Sequence, residues 1–240
     1  MTEGIIWALI SGLMLGLYAL PGKFTKGFKE ENTWGLFFML TMFVVPLLAS
    51  FTMMNGIGEI YSDPAVKAVL PTMIIASVLW GIGVMMWGKA IHHIGLSLGF
   101  SLFIGTVILV GSALPLIIGL TKGDPLPGTN ALTLIILGIA IVLFGIIFNG
   151  RAGLIREGEK DDDEENVAGK SMVTGIIIAI TGGLLATGFN VAFTVGGGPL
   201  SEAVARTGNP AWMISLAVML VVFLSGGVIM AGYFGWQITA

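Results

Sequence analysis

"LWGIGVMMWGKAIHHIGLSLGFSLFIGT", residues 79–106, is apolar enough to lie in a membrane, yet it carries two tryptophans, a lysine, two adjacent histidines and a glycine about every four residues. Its apolar runs continue on both sides, and a few polar residues separate them. That pattern predicts two spanning helices joined by a tight turn. The whole chain has the same character. It has 240 residues, is 55% hydrophobic and only 10% charged, with a mean hydropathy of +0.96, whereas soluble domains carry about 25% charged residues. A soluble core cannot hide that much apolar surface, so the fold class is an all-α integral membrane protein, a multi-span helical bundle. The absence of cysteine excludes disulfides, thiolate metal sites and thiol redox motifs.

Apolar runs of about 20 residues give seven candidate spans: Gly4 to Leu20, Trp34 to Met54, Val69 to Ile91, Leu96 to Leu120, Ala131 to Asn149, Met172 to Val195 and Trp212 to Trp236. Turn signals bound them, among them Pro21-Gly22, Asp63-Pro64, Asp124-Pro125 and Asn209-Pro210. The first span does not read as a signal peptide, because no positive residue precedes it and no small-x-small site follows. Eight of the eleven Lys and Arg residues fall in the odd-numbered connections and their span ends. The excess puts those connections in the cytoplasm and the N-terminus outside.

The fifth connection, "GRAGLIREGEKDDDEENVAGKS", is the one long hydrophilic segment. Its Gly169-Lys170-Ser171 is not a phosphate loop, since Glu164 stands where that motif requires glycine. The segment reads as a solvated linker. "GIIWALISGLMLGLYA" from Gly4 and "GIIIAITGGLLATGFN" from Gly175 align without a gap, pairing Gly4 with Gly175 and Gly12 with Gly183. The match predicts a first five-helix repeat over 1–150, a cytoplasmic linker over 151–171, and the first two helices of a second repeat over 172–240. Five spans precede the second copy, so it enters the membrane from the opposite side, as in secondary transporters with inverted repeats. A complete second copy needs about three more helices than this sequence supplies. Gly4, Ala8, Gly12 and Gly16 share one helix face, and Gly95 and Gly99 repeat the spacing, which suits close helix packing in lipid.

Trp80, Gly83 and Trp87 share a face of the third helix. Two readings stand: an aromatic wall for a sugar ring, or helix packing at Trp80 with an interfacial belt position at Trp87. Lys89 snorkels to the interface. His92 and His93 lie in the turn and are candidates for proton transfer, or are simply solvated. Ser97, Ser101 and Thr106 either bond back to the helix or line a polar path. Tyr18 and Asn190 complete the candidate substrate-binding set. No Asp or Glu falls inside the spans. Glu202 in "GGGPLSEAVARTGNPAW" is the acidic candidate for proton coupling. Gly196 to Pro199 is expected to break the sixth helix, and Glu202 and Arg206 to pair one turn apart, in a re-entrant element or an external loop. The histidine pair alone is no metal site, and no nucleophile, base and orienting group are grouped, so an enzyme is not expected.

"YALPGKFTK", "TWGLFFMLTMFVVP", the 79–106 hairpin and "GGGPLSEAVARTGNPAW" together resemble the L-rhamnose/proton symporter family of the drug/metabolite transporter superfamily. The resemblance runs from the first span to the last. It rests on Tyr18, Pro21, Lys23, Trp34, Pro46, Trp80, Gly81, Gly83, Gly95, Ser97, Gly99, Gly105, Gly111, Pro115, Glu202 and Pro210. It implies ten helices in two inverted five-helix halves, of which seven are present here. It also implies uptake of L-rhamnose or a related monosaccharide across a bacterial-type inner membrane, with no cofactor beyond the proton gradient. Sugar, protons and the lipid bilayer are the implied partners, with a homo-oligomer as a further possibility and no nucleic acid. Another carrier of the superfamily, for glucose-type sugars or metabolites, and a non-transporting fragment that needs a partner are the alternatives.

Overall fold

The computed structural model describes residues 2–17, 24–27, 30–121, 123, 125–158 and 165–239. Those residues are almost wholly helical, as lipid requires, because a spanning segment must satisfy its backbone groups internally. In chain order they form α1 (Thr2–Leu17), α2 (Glu30–Met39), α3 (Val45–Met53), α4 (Ile57–Ser62), α5 (Pro64–Thr121), α6 (Thr129–Gly158), α7 (Glu165–Ala186), α8 (Gly188–Arg206) and α9 (Met213–Thr239). Among the described residues, six stretches are long and apolar enough to cross a membrane: Asn32–Met53, Pro64–Gly95, Leu98–Thr121, Thr129–Ala152, Met172–Arg206 and Met213–Trp236. The first expected span, Gly4 to Leu20, is described as far as Leu17, and its described part includes the apolar helix Gly4–Leu15.

A π-helical turn, Leu40–Val44, joins α2 to α3. Pro46 follows it at the start of α3, and since proline has no N–H and crowds the preceding turn, the helix widens just before it. α5 folds back on itself at Gly95, whose φ of 72° and ψ of 166° belong to glycine alone. Trp87 in the first leg stacks at 5.8 Å on Phe103 in the second. A straight helix would hold residues sixteen apart at about 24 Å, so the legs are antiparallel. The hairpin expected from the sequence therefore forms, but the reversal takes one residue, and His92 and His93 belong to the helical first leg rather than to a turn.

The sixth span departs from expectation. Gly196 to Pro199 do not break it: α8 runs continuously to Arg206. Gly196 is buried there against the thioether of Met73, and intimate packing of this kind holds a proline-containing helix together in lipid. The interruption falls earlier, at Thr187, whose Oγ1 donates to the Leu184 carbonyl at 2.6 Å.

The largest buried cluster joins the first leg of α5 to α8, α9 and α4 through Ile60, Val66, Met73, Leu200, Val218 and Val222. α7 packs chiefly on α5. Around this centre, α6 and α1 present mostly exposed apolar side chains. A β-carbon built on Gly4 or Gly12 would meet nothing within 4 Å, so the small-residue face of α1 is uncovered among the described residues.

Candidate functional site

Glycines set the geometry of the interior. A β-carbon on Gly83 would run into the Gly182 carbonyl and the backbone of Ala186, and one on Gly188 would run into the Ala76 carbonyl. On the second leg, Gly183 faces Thr106 and the Phe103 carbonyl, at 2.7 and 2.8 Å from an added β-carbon. On the other side of the first leg, Gly81 meets the Gly226 carbonyl of α9. The first leg of α5 thus touches α7 and α8 backbone to backbone, and the second leg touches α7 in the same way. Small residues make this approach possible, and it replaces the hydrophobic drive that lipid removes.

The Trp80–Gly83–Trp87 face is filled by protein. Trp80 stacks on Phe223 at 5.8 Å, and its other close aromatic neighbour is Phe189, also at 5.8 Å. Trp87 stacks on Phe103 and meets Phe100 edge-on. Only 8% of Trp87 is exposed, which rules out the belt position and makes it an interior residue. Its Nε1–H has no hydrogen-bond partner among the described residues. Buried indole N–H groups usually find one, so Trp87 offers an unused donor.

Asn190 lies near the middle of the span Met172–Arg206, and Gly111 near the middle of Leu98–Thr121. The Asn190 carboxamide sits directly against the Gly111 backbone. The Asn190 carbonyl accepts from Thr194 Oγ1 at 2.8 Å, but the carboxamide makes no hydrogen bond among the described residues. Asn190 is only half-buried, and a polar side chain at this depth in lipid marks a functional position. Trp80 lies at the same level, against Phe189 and the backbone of Gly226. The buried indole of Trp87 and the half-buried carboxamide of Asn190 thus each offer a donor without a protein partner among the described residues, a chemistry suited to hydroxyl groups of a neutral ligand.

The remaining candidates are dispersed. Thr106 Oγ1 donates back to the Leu102 carbonyl at 2.7 Å, which is the helix-bonded alternative. Ser101 is buried on another face of the second leg, beside a groove formed with α6 in which Ile104, Ile108, Val142 and Ile146 dominate. Such a wall gives a sugar little to bond. His92 and His93 are exposed at the end of the first leg, where the His93 β-carbon packs against Gly175. Glu202 is exposed on α8, in a helix rather than a loop or re-entrant element. Its expected partner is taken, because Arg206 pairs with Asp63 instead. Tyr18 and the side chain of Ser97 lie outside the described residues. No group of three or more metal-ligating side chains occurs among the described residues.

Sequence reasoning missed a polar cluster at the end of the bundle where residues 54–63 meet 206–217. Asn209 Oδ1 accepts from the Asn55 N–H at 2.9 Å, and its Nδ2 donates to the Asn55 carbonyl at 2.8 Å. Tyr61 donates to the Ala217 carbonyl at 2.7 Å. In the sequence, Asp63-Pro64 and Asn209-Pro210 signalled only turns. Nothing local shows that the two turns meet.

The family profile described as L-rhamnose-proton symport protein matches residues 1–239. L-rhamnose-proton symporters of Yersinia pestis bv. Antiqua (strain Antiqua) and of Yersinia pseudotuberculosis serotype O:1b (strain IP 31758) are each 24% identical over 231 residues, covering 96% of this chain and 65% of the relative. The chain thus spans about two thirds of the length of those relatives. No solved structure matches. With its apolar helices, the chain is a multi-pass membrane protein, and it belongs to the L-rhamnose-proton symport protein family, a family of transporters and not of enzymes.

Proposed function

We propose that this chain carries out proton-coupled uptake of L-rhamnose or a related monosaccharide by alternating access. The profile match over residues 1–239 carries the reading. The unpaired Asn190 carboxamide and Trp87 indole in the interior support it, because a sugar presents hydroxyl groups that accept and donate in turn. Trp80, between Phe189 and Phe223, supplies the apolar floor of the same site. In this reading His92, His93 and Glu202 are the groups through which the proton passes. The odd-numbered connections face the cytoplasm of a bacterial-type cell, and residues 172–239 begin an inverted copy of residues 1–150.

The test is uptake of labelled L-rhamnose into vesicles holding the 240-residue chain, with and without an imposed inward proton gradient. Gradient-stimulated uptake, competed by unlabelled L-rhamnose, is the expected result. Uptake indifferent to the gradient overturns the coupling, and no uptake by inserted protein overturns the reading for this chain.

A further inference from the structure

The polar cluster joining residues 54–63 to 206–217 bridges the part of the chain before the hydrophilic linker and the part after it. Asn209 holds the Asn55 backbone with a donor and an acceptor, at 2.8 and 2.9 Å. Its Nδ2 also donates to Thr207 Oγ1 at 2.7 Å, which fixes the carboxamide orientation. Gly56, in a left-handed conformation with φ of 66°, brings its backbone onto the Thr207 side chain. Arg206 pairs with Asp63, and the other oxygen of Asp63 accepts from Ala65 N–H at 2.9 Å at the start of α5. Tyr61 reaches over to the Ala217 carbonyl of α9.

Directly beneath lies the largest buried cluster, including Ile60, Val66, Leu200 and Ala217, all at 0% exposure. This end of the bundle is therefore shut, by contacts that are individually modest. An exposed ion pair contributes little, and each neutral hydrogen bond is worth roughly twofold to tenfold in an equilibrium. A set of weak, directional, water-replaceable bonds suits an element that must open and close.

We propose that Asn209, Arg206 and Tyr61, acting on Asn55, Asp63 and Ala217, form a reversible latch that closes one mouth of the transport path, and that the structure shows it closed. The inference rests on the transporter reading above. It requires that breaking the latch admits water to the buried cluster beneath it, and that fixing it stops the transport cycle.

The natural chain has no cysteine, so Ala217→Cys gives a single reporter at a position with 0% exposure. Its labelling by a small membrane-impermeant maleimide is expected to rise about tenfold when Arg206→Gln and Asn209→Ala are added, and about threefold with the milder Tyr61→Phe. Unchanged labelling in both backgrounds overturns the latch whether or not the chain transports anything. In a separate chain, an Asn55→Cys/Asn209→Cys disulfide is expected to abolish L-rhamnose uptake, with recovery on reduction. Full uptake through the oxidised chain overturns the latch and leaves the symport reading intact, whereas absent uptake by the unmodified chain overturns symport and leaves the labelling result to decide the latch.

Discussion

Gly111 lies beneath the carboxamide of Asn190, so close that a β-carbon on the glycine would overlap the amide nitrogen. The glycine is thus the seat that lets Asn190 keep its orientation. Under the proposed symport, Gly111→Ala should turn the carboxamide away and raise the KM for L-rhamnose by roughly threefold to tenfold, the worth of one hydrogen bond. Asn190→Ala should do the same with the glycine intact. Uptake kinetics on both variants test the pair, and an unchanged KM in each removes Asn190 from the site.

Gly83 and Gly138 make opposite predictions from the same substitution. Gly83 is locked between the Gly182 carbonyl and Ala186, while Gly138 on α6 has open space around it. Gly83→Ala should cost about 1–3 kcal/mol through overpacking. Gly138→Ala should be neutral or stabilise by up to about 1 kcal/mol, because alanine is the better helix former. Thermal unfolding in detergent reads both, and equal shifts would contradict the backbone contact.

Trp87→Phe keeps a ring against Phe103 and deletes the unpartnered indole donor. Removing a buried, unsatisfied donor relieves a penalty of about 1–3 kcal/mol, against which stands the lost area of the larger ring. Thermal stability should therefore change little, while the KM for sugar rises. Trp87→Ala should instead cost about 3–5 kcal/mol. A large loss of stability in Trp87→Phe, with KM unchanged, would make the residue purely structural.

Burial raises the pKa of the Tyr61 hydroxyl above its ordinary value. The folded chain therefore holds this proton more tightly than the unfolded chain. Its contribution is complete below the unfolded value of about 10 and is lost as pH climbs above it. At neutral pH, Tyr61→Phe should lose about 0.5–1.5 kcal/mol with the bond to Ala217. The gap between wild type and variant should narrow in alkaline solution. Unfolding temperatures of the two proteins across that range give the difference directly, and a constant gap would be the contrary result.

The spans were legible because lipid imposes a single demand, a long apolar helix, and residues such as Met172 and Trp236 mark its ends in the sequence and in the structure alike. The hairpin was legible for the same reason. Its reversal point was not, since His92 and His93 look like a polar turn until Gly95 shows that one residue suffices. The continuity of α8 through Pro199 was hidden because local propensity says break, while Met73 and the lipid environment say otherwise. At the site, the periodicity that puts Trp80, Gly83 and Trp87 on one face held, but only the three-dimensional structure shows that Gly182 and Ala186 fill the notch. Asn55, Asp63 and Asn209 were invisible because their partners lie about 150 residues away in the chain.

The reversal at Gly95 bears on how the protein is made. Two membrane-length legs, Pro64–Gly95 and Leu98–Thr121, meet with no soluble loop between them. At the far end of the first leg only Lys89, His92 and His93 are strongly polar, and they lie within the helix rather than in a loop. Their apolar faces already match through Trp87 and Phe103, so the pair is expected to enter the bilayer as one unit, a single insertion event where topology counts two crossings.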